Sequence, residues 1–163
     1  MDPVRAGVTG FSIDVLEDNL AAMGARSVTV YLDACFTGTS HGGALLPGRA
    51  TFTTTFRDLP TITVMAAAQG DQIARWDAEA GQGLFTEYLL RGLRGEADAG
   101  VFGDGDGQVT AEEAKRFLDS EMTYRARQLF GPDQTAHLRT ANPGVVLAVL
   151  PAVPVGPEIL EVM

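Results

Sequence analysis

Ser27-Val28-Thr29-Val30-Tyr31-Leu32-Asp33-Ala34-Cys35-Phe36-Thr37-Gly38 opens as a strand and ends in small, polar residues. Its first half is β-branched and aromatic and has no helical period, which predicts a strand buried on both faces, as in parallel sheets. Thr61-Ile62-Thr63-Val64-Met65-Ala66 predicts a second buried strand, and Val145-Val146-Leu147-Ala148-Val149-Leu150 a late one. Between and around them lie helical patterns. Ile13, Leu16, Leu20 and Met23 recur at three- and four-residue spacing, predicting one buried helix face over Phe11 to Gly24. Ser12 is placed to cap that helix, and Gly24 to take the left-handed turn that ends it. Leu84-Phe85, Tyr88-Leu89 and Leu93 mark an amphipathic helix ending at Gly95. Thr110 and Glu113 form a capping box that opens a third helix, running to Leu129. Helix, strand, strand, helix, helix, strand is the order of an α/β layered fold.

The composition narrows the function classes. Hydrophobic residues make up 45% of 163, enough to bury one core. The balance of 21 acids against 12 bases, a net charge of −9, argues against a nucleic-acid partner, which needs a basic face. No apolar run reaches the ~18–20 residues of a membrane span, and no apolar segment follows the first residues as in a signal peptide. The single cysteine excludes an internal disulfide framework, so a reducing, cytoplasmic setting is expected.

That cysteine stands where chemistry gathers. Cys35 follows the first strand, at the carboxyl end where open α/β sheets hold ligands and catalytic groups. Asp33 lies two residues before it, on the same face if the strand continues. A carboxylate beside a thiol disfavours the thiolate, so Asp33 suits a cation-binding pocket better than activation of Cys35. The competing reading makes Cys35 a small buried hydrophobe closing a strand. From Ala34 to Pro60 the chain is rich in Thr, Ser and Gly, a loop far longer than ordinary connections.

Val28 to Gly38 resembles the nucleophile strand of caspase-like cysteine peptidases, on the side of metacaspases and their bacterial relatives. Asp-Ala-Cys stands where caspases proper carry Gln-Ala-Cys. Met65-Ala66-Ala67-Ala68-Gln69-Gly70-Asp71-Gln72 resembles the next strand and Asp-Gln motif of that family. Gly83-Leu84-Phe85-Thr86 resembles its Gly-x-Phe-Thr helix, and Asp104 to Glu113 the Asp-Gly turn of bacterial members.

The resemblance implies a three-layer sandwich with a mostly parallel sheet, and proteolysis by a Cys–His dyad. Cys35 would be the nucleophile, and its backbone N–H part of the oxyanion hole. Asp33 and Asp71 would line the substrate pocket. Two carboxylates together call for a cation, so cleavage after Arg or Lys is expected, not after Asp. Taken alone, Asp71 also reads as a solvated loop acid. Arg49 and Arg57 in the long loop would be self-cleavage sites.

The dyad histidine is not identifiable. In caspases it lies roughly 50 residues before the cysteine, which from Cys35 falls before Met1. Residues 1–150 are therefore read as a partial peptidase domain lacking its first strands and His-Gly motif, with 151–163 a loose tail. Such a chain is expected to be weak or inactive alone, needing an upstream segment to supply the histidine. His41, in Ser40-His41-Gly42-Gly43, follows the cysteine in a loop and reads as exposed. His137 reads as a surface hydrogen-bonding residue near the late strand. The alternative function is a catalytically dead pseudo-peptidase serving as an interaction module.

Two further features stay open. Asp104-Gly105-Asp106-Gly107 with Glu113 fits positions three, five and twelve of an EF-hand loop; Phe102 falls at position one, where Asp98 could reach in from the neighbouring turn. Asp104, Asp106 and Glu113 are thus candidate Ca²⁺ ligands, and a tight turn into a capped helix explains the same residues without an ion. No other cofactor is expected. Trp76 reads either as a cleft-shaping side chain or as a core or rim aromatic.

Overall fold

The computed structural model describes residues 13–34, 39–40, 43–44, 59–69 and 72–151. Val28–Leu32 (β1) runs parallel to Ile62–Ala66 (β4), with Val28 opposite Ile62 and Leu32 opposite Ala66. His137–Arg139 (β8) completes this sheet antiparallel to β4, with His137 opposite Ala66. The parallel pairing matches the β-branched character of both runs. The burial does not match for β1. All five β4 residues are buried, whereas β1 is half-buried and its Tyr31 is exposed. The reason is order in the sheet: β4 is central, and β1 pairs with β4 alone among the described residues.

Apolar side chains leave β4 on both faces. Ile62 and Val64 pack with Val28, Val30, Leu32 and Leu59, and with Leu20 of the first helix, Ile13–Ala22 (α1). Met65 joins a larger cluster that includes Leu84, Phe85, Phe117, Leu118 and Met122. The alternation of a strand thus sends successive side chains of β4 to different helices. In α1 the expected buried face is corrected. Met23 is 69% exposed and Glu17 is buried. The helix stops at Ala22, and Met23 belongs to the closing turn, where Gly24 adopts φ +64°.

The larger core is built by three helices. Leu84–Arg91 (α2) buries Leu84, Phe85, Tyr88 and Leu89, as its spacing predicts. It runs into a wide turn, Gly92–Glu96, where Gly95 takes φ +120° and Arg91 pairs with Glu96 at 2.6 Å. The expected helix from Thr110 to Leu129 is found in two parts, Ala111–Phe117 (α3) and Thr123–Phe130 (α4). They are joined by a widened turn, Leu118–Met122, in which Leu118 and Met122 are both fully buried.

The remaining strands are short. Thr39–Ser40 (β2) pairs with Gly43–Ala44 (β3) within the long loop. Trp76–Asp77 (β5) and Gln82–Gly83 (β6) form a hairpin ahead of α2. The late strand, Val146–Val149 (β9), does not extend the main sheet. It pairs with Gln108–Thr110 (β7), with a bulge between Val109 and Thr110. The sheet's third place falls instead to the short polar β8. The tail after Pro151 lies outside the described residues. Among the described residues, no helix is long and apolar enough to cross a membrane.

The capping box at α3 is present as read. Thr110 accepts a bond from the Glu113 N–H, and the Glu113 carboxylate accepts bonds from the Thr110 N–H and hydroxyl. Burial works against the Glu113 charge, but the bonds from Thr110 and the Asp104 N–H outweigh it and hold its pKa below the usual glutamate range. A depressed folded-state pKa stabilises the fold above the unfolded value, near ~4.3, and this stabilisation is lost as pH falls through the folded value. Glu113→Gln is therefore expected to lower stability at pH 7 by about 1 kcal/mol, with the difference closing below pH ~4. Thermal melts of both proteins across that range would check it; a constant difference would exclude the charge as the cause.

Candidate functional site

The carboxyl ends of β1 and β4 share one sheet edge. The Ala67 N–H donates to the Leu32 carbonyl at 2.9 Å, so the chain leaves both strands side by side. Asp33 and Ala34 are the first residues past β1, and both are exposed. Cys35, His41, Arg49, Arg57 and Asp71 lie outside the described residues.

Asp33 is held by the start of α2. The Thr86 hydroxyl donates to Asp33 Oδ2 at 2.5 Å. The carboxylate also lies against Gly83, so closely that a Cβ there would overlap it, with Asp33 Cγ only 2.8 Å away. Gly83 has an extended backbone, φ −61°, and is a glycine because of this close approach. It precedes α2 and offers no side-chain cap, and the Asp33 carboxylate lies at this helix end, where the aligned peptide dipoles favour negative charge. Two segments singled out in the sequence, Asp33-Ala34-Cys35 and Gly83-Leu84-Phe85-Thr86, therefore meet.

The hairpin brings a third. Trp76 lies directly opposite Gly83. Directly opposed residues of an antiparallel pair project to the same face, with Cβ positions about 4.5–5.5 Å apart. The Asp33 carboxylate occupies the position of the missing Gly83 side chain, so Trp76 leaves the hairpin on the same side as Asp33. It is 48% exposed, which removes the core reading and leaves the rim and cleft-shaping ones. The opposite face of the hairpin is anchored. Asp77 is buried and accepts bonds from the N–H groups of Glu79 and Ala80, while Arg125 of α4 approaches Asp77 and Glu79 at 3.6 and 3.2 Å.

The loop after β4 is clamped by the segment that leads into β8. Gln69 Nε2 donates to the Ala136 carbonyl at 2.7 Å, and Gln72 Oε1 accepts from the Thr135 N–H at 2.7 Å. Gln134, fully buried, donates to the Ala67 carbonyl at 2.9 Å and accepts from the Arg75 N–H at 2.8 Å. Gln72 of the Asp-Gln motif thus has a structural task. Sequence reading did not find Gln134, because a lone glutamine in a polar run carries no periodic signal. His137 sits in β8 opposite the last β4 residue. Burial, with Arg139 and Lys115 nearby, pushes its imidazole pKa down.

The acidic turn is arranged differently from the expected trio. Asp98, Asp104 and Asp106 each bring one carboxylate oxygen within 4.8 Å of the others. Glu113 is outside this group, its oxygens turned to Thr110 and the Asp104 N–H. The aspartates accept backbone bonds: Asp98 from Gly105 and Gly107, both at 3.0 Å, Asp104 from Asp106 at 3.1 Å, and Asp106 from Gln108 at 2.7 Å. These bonds account for the turn without an ion. Compared with protein-family models, curated proteins and solved structures, the chain matches none.

Proposed function

We propose that this chain carries the nucleophile-bearing part of a caspase-like cysteine endopeptidase domain that cleaves polypeptides after Arg or Lys. The observation that carries the reading is the meeting of Asp33, at the end of a parallel strand, with Thr86 and Gly83. Two segments of the family resemblance meet there, and a third, the end of β4 with the loop after it, lies beside them on the same sheet edge. The parallel β1–β4 pair, with apolar contacts to helices from both faces of β4, supports a three-layer sandwich.

In this reading Cys35 attacks the scissile carbonyl, its thiolate forming an acyl-enzyme as the amine leaves, and water then releases the acid. The Cys35 N–H would meet the developing oxyanion. Asp33 and Asp71 accept the substrate's basic side chain. The dyad histidine would come from a segment outside these residues, and the chain alone would be weak or inactive.

Protein expressed from the complete reading frame is expected to hydrolyse Arg- and Lys-peptides and to be labelled on Cys35 by an arginyl chloromethyl ketone. Cys35→Ser should lower turnover by about 10³-fold or more. Turnover after Asp and none after Arg would overturn the specificity. A folded protein that neither cleaves nor labels would instead be a pseudo-peptidase acting as an interaction module.

A further inference from the structure

We propose that Thr86 and Trp76 make the Asp33 site selective for a guanidinium over an ammonium group, Thr86 as a positioning residue and Trp76 as a stacking surface. This inference rests on the reading of Asp33 as the acceptor of a basic side chain. It follows from three placements. Thr86 takes Oδ2 of Asp33, and among the described residues Oδ1 accepts from none. The Gly83 backbone lies against the same carboxylate and removes one direction in which it could swing. An exposed side chain is thereby held in one orientation through Oδ2, with Oδ1 open among the described residues.

Trp76 supplies the second half. It leaves the hairpin on the face where the carboxylate lies, and the residue is half exposed. A planar guanidinium can donate to Oδ1 and lie on the indole face at once. An ammonium is a compact, strongly hydrated charge that gains less from such a face. The buried anchoring of Asp77 on the other side of the hairpin fixes the strand that carries Trp76.

Trp76 is the single tryptophan of the chain, so its fluorescence reports on this site alone. The chain is titrated with Nα-acetyl-arginine amide, Nα-acetyl-lysine amide and the neutral isostere Nα-acetyl-citrulline amide, with ligand-observed NMR as a second readout. The arginine amide is expected to change the emission saturably, the lysine amide to bind about three- to tenfold more weakly, and the citrulline amide not to bind. Asp33→Asn should abolish binding. Thr86→Val should weaken it about tenfold, and Thr86→Ser should restore it, which lost packing alone would not explain. Thr86→Ala replaces the valine variant if that one does not fold. By NMR, Trp76→Ala should bring the arginine-to-lysine ratio close to one.

If arginine binds but the Thr86 and Trp76 variants keep its affinity and the ratio, this proposal is overturned and the peptidase reading stands. If the folded chain binds neither cation, Asp33 is not a basic-residue acceptor, and both fall.

Discussion

Phe117→Ala is expected to destabilise the fold by about 3–5 kcal/mol, a fall in melting temperature of about 10 °C or more. Phe117 is 2% exposed and meets Phe102 edge-on at 5.3 Å between ring centroids, with Tyr88 at 6.3 Å. The Arg91 guanidinium lies 5.9 Å from its ring. Gly92 is packed so near that a Cβ there would stand 3.1 Å from the Phe117 ring, so the α2 and α3 backbones meet over this side chain. Alanine would leave a cavity that rigid helices on both sides cannot close. Urea unfolding of the variant checks this, and a loss below about 1 kcal/mol would show that the site collapses freely.

Gln134→Leu is expected to cost about 2–4 kcal/mol, although the two side chains are similar in size. The leucine would leave the buried Ala67 carbonyl and the Arg75 N–H without their partners, and unpaired buried groups are far more costly than an ordinary hydrogen bond is stabilising. The effect should also be local. Amide exchange at Gln72–Arg75 should quicken well before the core opens, because this loop is tied down by residues 134–136. In the proposed enzyme that loop carries Asp71, so the variant should also weaken binding of a basic substrate residue. Unchanged exchange at Arg75 would remove Gln134 from this role.

The parts of the fold that depend on near neighbours in sequence were legible. β-Branched runs placed β1 and β4, and their short, apolar, non-helical character pointed to the parallel pairing. Thr110 and Glu113 announced the α3 cap, and Gly24 the end of α1. Burial was less legible. Tyr31 and Met23 look like core residues in sequence, but one is exposed on β1, which pairs with β4 alone among the described residues, and the other lies past a helix end. Which strand is central is a property of the whole sheet and leaves no mark on either run. β8 was missed for a related reason. His137-Leu138-Arg139 has too few apolar residues to read as a strand, and it becomes one because the β4 edge offers it partners.

At the candidate site the sequence by itself singled out Asp33 and Cys35, which follow the β1 run in the chain, and the glycine-led start of α2. Their types and spacing required no structure, since each signal spans only a few positions. Only the tertiary structure decided that Asp33 is bonded to Thr86, 53 positions away, and that Gly83 is a glycine to admit a carboxylate. It likewise set Trp76 on the side of Asp33, and drew Asp98 to Asp104 and Asp106 while Glu113 turned to Thr110. The physical reason is common to the contacts around Asp33. Such contacts are made by polar side chains across distant segments, whose meeting depends on how the core stacks the helices on the sheet.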